Sequence, residues 1–140
     1  MTLKRMLQTI GLFLRPGPHT RGQYLKNRHI FAEVGENVLF LPRLVPLYPE
    51  LIKLHNNILI SSGVQFVTHD ASNAVLNKMG IGKFPERIGC IEIMDNVYIG
   101  YNVTIMPNVR IGENVIIGAN TIVTRSLESN GVYVGTPAKK

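Results

Sequence analysis

The sequence predicts an all-β fold in which short strands wind into stacked coils, and a six-residue repeat is the main observation behind it. Six consecutive hexapeptides from Ile93 begin with Ile or Val, and their fifth places hold Val, Thr or Leu. The spacings between these apolar positions alternate between four and two, so all of them leave one face of an extended chain. A helix would instead repeat its apolar face at spacings of three and four.

A recurring Asn at the fourth place of the hexapeptide predicts the corners between strands. Asn tolerates the left-handed backbone conformation that a sharp corner demands. Each hexapeptide is therefore predicted to form one strand and one corner, and strands this short must stack because none can bury its face alone. The residues in this place are Asn96, Asn102, Asn108, Asn114, Asn120 and finally Ser126.

The same pattern, with more exceptions, extends the repeat towards the amino terminus. Hexapeptides cover residues 54–71, and less regular ones cover residues 34–45. We therefore predict one repeat domain over 34–140, with about five coils if three hexapeptides close each coil. The predicted corners within residues 54–71 are Asn57, Gly63 and His69.

An insertion at residues 72–87 breaks the repeat and predicts a loop that leaves the stack. It contains Gly80, Gly82 and Pro85, which favour turns and loops over strands. Loops on a rigid scaffold commonly carry specificity, so this loop is the predicted region of acceptor contacts.

Residues 1–33 are predicted to form a cap segment at one end of the stack. Its apolar side chains follow helical spacing, which predicts a helix that packs this face against the repeat. A signal peptide, which Lys4 and Arg5 permit, and a helix lying on a membrane surface are the alternatives, although no small-residue cleavage site is evident. The apolar side chains are Leu3, Met6, Leu7, Ile10 and Leu14.

Composition narrows the possible partners of the 140-residue chain. Its net charge of +6 favours anionic partners, but the basic residues are scattered and form no nucleic-acid motif, so we predict no nucleic-acid partner. The absence of an apolar run of about 18 residues argues against integral membrane association.

A single cysteine, Cys90, fits a cytoplasmic protein, and its apolar neighbours predict an inert, packed thiol.

Three segments resemble the hexapeptide-repeat acyltransferases, and in particular their branch of galactoside, maltose and polysaccharide O-acetyltransferases. They are VTHDAS at 67–72, IGYNVTIMPNVRIGENVIIGANTIVT at 99–124 and GVYVGTPAK at 131–139. The resemblance implies a left-handed parallel β-helix, a homotrimer, and acetyl-CoA bound in grooves between neighbouring chains. It also implies a role in polysaccharide biosynthesis.

His69 is the candidate general base, because acyl transfer to a hydroxyl requires a group that accepts the hydroxyl proton. It is predicted to face outward from a corner, directly before the insertion, and an imidazole titrates near neutral pH. The alternative is an ordinary surface histidine at a corner. The resemblance favours catalysis, because similar enzymes place their base at the start of such a loop.

No metal site is predicted. A metal-dependent enzyme of this fold, resembling the gamma carbonic anhydrases, would need three convergent histidines, and only His55 and His69 lie in the repeat.

The remaining candidate site residues divide into acceptor and cofactor groups. Asp70 could orient the imidazole of His69 but is expected to anchor the loop, since neighbours in an extended segment face opposite ways. The predicted substrate-binding residues at the loop are Asp70, Asn73 and Asn77. The residues that the resemblance implies for acetyl-CoA are Tyr98 and Tyr101 near the thioester, Ala119 at the pantetheine, Thr124 and Arg125 at the nucleotide, and Gly135, Thr136 and Lys139 near the phosphates.

The predicted function is that of an acetyl-CoA-dependent O-acetyltransferase acting on a hydroxyl of a sugar or glycan precursor. Two alternatives remain at this point. One is an N-acetyltransferase of an amino sugar, which is often nucleotide-linked, and the other is a non-catalytic β-helix that serves as a scaffold or binding module.

Overall fold

The repeat winds into a three-sided column whose walls are parallel β-sheets, in a computed structural model that describes residues 2–140. The first wall contains β1, β3, β8 and β11, the second β2, β4, β9, β12 and β14, and the third β5, β10 and β13. The strands are β1 (Glu33–Val34), β2 (Val38–Phe40), β3 (Ile52–Leu54), β4 (Ile58–Ile60), β5 (Gln65–Phe66), β6 (His69–Asp70), β7 (Arg87–Ile88), β8 (Ile91–Ile93), β9 (Val97–Ile99), β10 (Thr104–Ile105), β11 (Val109–Ile111), β12 (Val115–Ile117), β13 (Ile122–Val123) and β14 (Gly131–Tyr133).

The interior of the column holds the first and fifth residues of the hexapeptides, as the even spacing predicts. From Ile93 to Leu127 every one of these side chains is buried. Burying an Ile or Val side chain contributes about 1.5–3 kcal/mol, so each coil adds several such contributions. Thr121 is the polar member of the set, and its hydroxyl accepts a hydrogen bond from the Gly135 N–H at 3.2 Å.

The Asn corners adopt the predicted left-handed conformation and also bond to one another. The five predicted residues from Asn96 to Asn120 have φ between 56° and 61°. Asn side chains at the corners, other than that of Asn108, form ladders along the column, in which an amide N–H donates to the side-chain carbonyl of an Asn in an adjacent coil. The bonds are Asn37 to Asn57 and Asn57 to Asn96 at 2.8 Å, Asn96 to Asn114 at 3.0 Å, and Asn114 to Asn130 and Asn102 to Asn120 at 2.9 Å.

Replacing Asn114 tests what a corner requires. Asn114→Ala should lower the free energy of unfolding by about 2 kcal/mol, because Ala is strained at a φ of 56° and removes two ladder bonds. Asn114→Gly keeps the backbone freedom and should lose about half as much. Urea unfolding measures both variants, and equal losses would contradict the contribution of the left-handed backbone.

The amino-terminal segment forms two helices, α1 (Leu3–Phe13) and α2 (Pro18–Asn27). The second helix covers the end of the column: Leu25 is buried, and the buried Arg21 donates from Nε to the Phe40 carbonyl at 3.0 Å. Gly22 is required there, because a Cβ at this position would lie 2.1 Å from the Val38 carbonyl oxygen. No helix within residues 2–140 combines the length and apolar character that crossing a bilayer requires.

The orientation of α1 corrects one prediction. The helix forms, but its apolar face does not pack on the repeat, since Leu3, Leu7, Ile10 and Leu14 are all exposed. Leu12, on the opposite side, is the residue that α1 buries. Helical spacing establishes that the helix is amphipathic, but it does not establish which side contacts the column.

The predicted loop leaves the column at the corner that follows the third wall. Its stem is the antiparallel pair of β6 and β7, and its tip holds α3 (Asn73–Leu76) followed by a 3₁₀ turn at Asn77–Met79. The column closes beneath the stem, where the Gly89 N–H donates to the Thr68 carbonyl at 2.9 Å.

Candidate active site

His69 lies in the stem of the loop, half-buried, with Ile88 as its antiparallel partner. The prediction that it occupies a corner like those of Asn is wrong, because its backbone belongs to an extended strand. The chain leaves the column at this point rather than turning onto the next wall, so no left-handed residue is required.

Tyr48 is a neighbour of His69 that the sequence analysis missed. Its ring meets the imidazole edge-on, with ring centroids 6.0 Å apart. Its hydroxyl donates to Glu86 Oε2 at 3.0 Å, and this bond to the carboxylate raises the pKa of Tyr48. The contact ties the loop to the segment before β3. The only sequence signal was that residues 46–51 fit the repeat poorly.

His69 lines a cleft of about 950 Å³. Residues 41–47, which form no helix or strand, and residues 62–67 also line it. The cleft is mostly apolar, but Arg5 and Arg43 also line it. The Arg5 Nε donates to the Val45 carbonyl at 2.8 Å, so this guanidinium is fixed in place.

The predicted acceptor residues mainly hold the loop in shape. Asp70 Oδ1 accepts from the Ser72 N–H at 2.8 Å, and this backbone bond lowers the pKa of Asp70. Asn77 uses both ends of its amide on Phe84, accepting from its N–H at 2.7 Å and donating to its carbonyl at 2.9 Å. Asn73 lies in α3 and is half-buried. Asp70 and Asn77 therefore shape the loop beside His69.

Removal of the Asn77 amide should loosen the loop. Asn77→Ala deletes two hydrogen bonds, each worth about 1 kcal/mol, so cleavage by trypsin after Lys78 and Lys83 should accelerate about 30-fold. Asn73→Ala is the matched control and should be cleaved at the wild-type rate. Unchanged cleavage of the Asn77 variant would contradict this anchoring role.

The predicted cofactor residues other than Tyr98 lie near the two edges of the third wall. Tyr101, Ala119 and Gly135 follow one another along the edge next to the second wall: the Asn120 N–H donates to the Tyr101 carbonyl at 2.9 Å, and the Ile122 N–H to that of Gly135 at 3.1 Å.

Arg125 lies at the other edge. Arg125 lies two residues after β13, and Thr68, which precedes His69, lies two residues after β5. Because β10 separates β13 from β5 in the third wall, Arg125 is two strand spacings, or about 10 Å, from the His69 corner along the column. Thr124 precedes it, Thr136 and Lys139 are exposed near Gly135, and Tyr98 faces outward from the second wall.

Two further side chains lie outside this constellation. Cys90 is exposed, which corrects the prediction of a packed thiol: Gly89 and Ile91 face inward, so strand alternation turns Cys90 outward. His55 pairs with Glu92 Oε1 at 3.0 Å on the first wall. Within residues 2–140, no three side chains of His, Cys, Asp or Glu come together as a metal-binding group.

Comparison with known proteins identifies the family. The family model described as bacterial transferase hexapeptide (six repeats) matches residues 90–125. Protein CapG of Staphylococcus aureus is 39% identical over 120 residues, which cover 82% of this chain and 67% of CapG. The chain belongs to the hexapeptide-repeat acyltransferase family. The predicted resemblance is therefore confirmed.

Solved structures agree with this assignment. A maltose O-acetyltransferase from Clostridium difficile 630 has a TM-score of 0.72 and 26% identity, covering 97% of this chain and 82% of its own. A galactoside acetyltransferase in complex with coenzyme A has a TM-score of 0.68 and 24% identity, covering 98% of this chain and 77% of its own, and establishes the fold alone. The column of this acyltransferase is the left-handed parallel β-helix of the family.

Proposed function

We propose that this acyltransferase transfers an acetyl group from acetyl-CoA to a hydroxyl of a sugar or glycan precursor. The observation that carries the proposal is the position of His69, half-buried in the loop stem and lining the cleft. A cleft gives an acceptor access to the imidazole, and the stem holds the ring in a fixed place. The maltose and galactoside enzymes that share the fold are acetyltransferases named for sugars.

The reaction requires two proton transfers, one from the acceptor hydroxyl to His69 and one from His69 to the CoA thiolate. His69 accepts the hydroxyl proton as the oxygen attacks the thioester carbonyl carbon, and backbone N–H groups stabilise the oxyanion that forms. The C–S bond then breaks, and the imidazolium returns its proton to the departing thiolate. The products are the O-acetyl ester and free CoA.

Acetyl-CoA would bind along the third wall and its edges. The exposed Arg125 and Lys139 suit its phosphates, and the strand edges near Ala119 and Gly135 offer backbone groups to the pantetheine amides. Tyr101 and Tyr98 would then lie towards the thioester. The acceptor would occupy the cleft, where Arg43 can donate to sugar oxygens.

The second wall supports the proposal of a homotrimer. Its outward side chains form a continuous apolar row, and an apolar sheet face of this length favours burial against another copy of the chain. The outward side chains of the first wall are charged instead, with alternating Glu33, Lys53, Glu92 and Arg110. The apolar row consists of Leu39, Leu59, Tyr98, Ile116 and Val132.

The release of CoA thiol over a panel of acceptors tests the proposal. The panel holds maltose, a galactoside, a matched amino sugar and a matched deoxysugar, each supplied with acetyl-CoA. Thiol release with a neutral sugar, and ester formation confirmed by mass spectrometry, is the expected result. Release with the amino sugar alone would overturn O-acetylation, and an absence of CoA binding by calorimetry would overturn the enzyme assignment.

A further inference from the structure

The outward face of α1 is an exposed apolar surface that has no role in the proposed acyltransferase site. It presents six large apolar side chains on one side of an 11-residue helix, with exposed fractions between 37% and 69%. Single exposed apolar residues are ordinary, but a contiguous apolar helix face on a folded protein marks a docking surface. The side chains are Leu3, Met6, Leu7, Ile10, Phe13 and Leu14.

Contacts on the opposite side hold this face outward. The Arg5 Nε donates to the Val45 carbonyl at 2.8 Å, the Val45 N–H donates to the Thr9 hydroxyl at 3.4 Å, and Leu12 is fully buried. Arg43 also donates to the Phe13 carbonyl at 3.2 Å, at the end of the helix. The helix therefore cannot turn its apolar side onto the column without losing these contacts.

The charge of the chain is concentrated in the same segment. Residues 1–32 contain six Lys and Arg and no Asp or Glu, whereas residues 33–140 contain nine of each sign. The whole excess of +6 therefore belongs to the part of the chain that carries the apolar face. The six residues are Lys4, Arg5, Arg15, Arg21, Lys26 and Arg28. Arg21 is buried, Lys26 pairs with Glu36 and Arg5 bonds to Val45, so the exposed members are Lys4, Arg15 and Arg28.

We propose that α1 docks this protein peripherally on the surface of an anionic lipid bilayer. An amphipathic helix with apolar side chains on one face and basic residues around it lies in the plane of a bilayer interface and binds anionic lipid. A second copy of the chain is a poorer occupant, because two copies of α1 meeting here would bring Lys4 and Arg15 of each copy close to those of the other. The uncharged, apolar second wall is better suited to contact between copies.

Docking would also orient the cleft. Arg5 belongs to α1 and lines the cleft from the side of the helix opposite the apolar face. The docked helix would therefore lie between the bilayer surface and the cleft. This docking does not depend on the identity of the acyl donor or acceptor.

Flotation with vesicles tests the proposal on the full chain. The probes are vesicles of phosphatidylcholine alone and of phosphatidylcholine with 30% phosphatidylglycerol, about a third of the lipid being anionic. Wild-type protein should float with the anionic vesicles and not with the neutral ones, and added salt should weaken its binding.

Two variants separate the apolar and charged contributions. Leu7→Gln with Ile10→Gln should reduce the vesicle partition coefficient at least tenfold, because both side chains lie in the outward face. Lys4→Gln with Arg15→Gln, two exposed basic residues at the two ends of α1, should reduce it about 25-fold on anionic vesicles, at about fivefold for each charge. The matched control, Val75→Gln with Ile81→Gln, removes two exposed apolar side chains from the loop and should bind as wild type does.

Three results would overturn the proposal. The first is that wild-type protein does not float with anionic vesicles. The second is that the Leu7→Gln, Ile10→Gln variant floats as well as wild-type protein. The third is that this variant differs from wild-type protein in oligomeric state, measured by sedimentation velocity without lipid. The last result would assign the face to a second copy of the chain. Thermal unfolding of each variant confirms that it is folded, which is expected because all the replaced side chains are exposed.

Discussion

His69→Ala should lose turnover by about 10²–10⁴-fold while it retains CoA binding. The imidazole is the group proposed to remove the acceptor proton, and the loss of a positioned general base costs rate enhancements of this size. The CoA contacts proposed for Arg125 and Lys139 lie at other parts of the column, so affinity measured by calorimetry should change by less than about threefold. Steady-state thiol release with a neutral sugar measures turnover.

A control histidine makes this result specific. His19→Ala removes an exposed imidazole from α2, away from the cleft, and should leave turnover unchanged. Wild-type turnover in the His69 variant would remove this residue from the mechanism. Loss of CoA binding together with turnover would assign it a structural role instead.

Phe40→Ala should lower the free energy of unfolding by about 3–5 kcal/mol. Phe40 is fully buried at the amino-terminal end of the column, where its ring stacks on Phe66 at 6.2 Å and meets Phe31 edge-on at 5.7 Å. Its backbone carbonyl also accepts from the buried Arg21. The cavity left by the ring would lie between the first coils and α2, so the cost cannot be relieved by a small shift of one loop.

Phe13→Ala is the matched control, because it removes the same side chain from the exposed face of α1. Its unfolding free energy should fall by no more than about 1 kcal/mol, because the ring is exposed and its contact is with the Arg43 guanidinium, 5.0 Å from its centroid. Urea unfolding followed by circular dichroism measures both variants. A similar loss in both would contradict the assignment of Phe40 to the core.

The column was predictable because each hexapeptide carries its own structural signal. The spacing between Ile99, Val103 and Ile105 is even, so one face of the chain must be apolar, and Asn102 marks the corner between its strands. Both features are local, and both recur in every regular coil. The amide ladders were not foreseen, because they depend on which coils become neighbours.

The errors arise where the structure depends on contacts between distant segments. In the sequence, His69 continues the hexapeptide frame. In the structure, the loop returns as β7 and pairs with β6, so His69 is an extended strand residue. Tyr48 reaches His69 only because of the path that residues 41–51 take, and no periodicity describes that path. The outward face of α1 is set by the three anchors on its other side, which the helical spacing cannot reveal.

The location of the site could be predicted from the sequence, but most of its side-chain contacts could not. The position of His69 beside the insertion follows from where the repeat breaks. The bonds of Asp70 and Asn77 within the loop do not, because they join residues whose separation is decided by how the loop folds. The proposed CoA residues follow from the resemblance to the family, because an exposed Arg or Lys carries no sequence signal for cofactor binding.

A crystal structure with CoA bound is the most direct test of the central claim, that His69 is the base of an acetyl transfer at the loop stem. We expect the CoA sulfur to lie within about 4 Å of an imidazole nitrogen of His69, in a groove completed by a neighbouring copy of the chain. A sulfur bound far from His69, or a His69 cleft that remains remote from CoA, would contradict it.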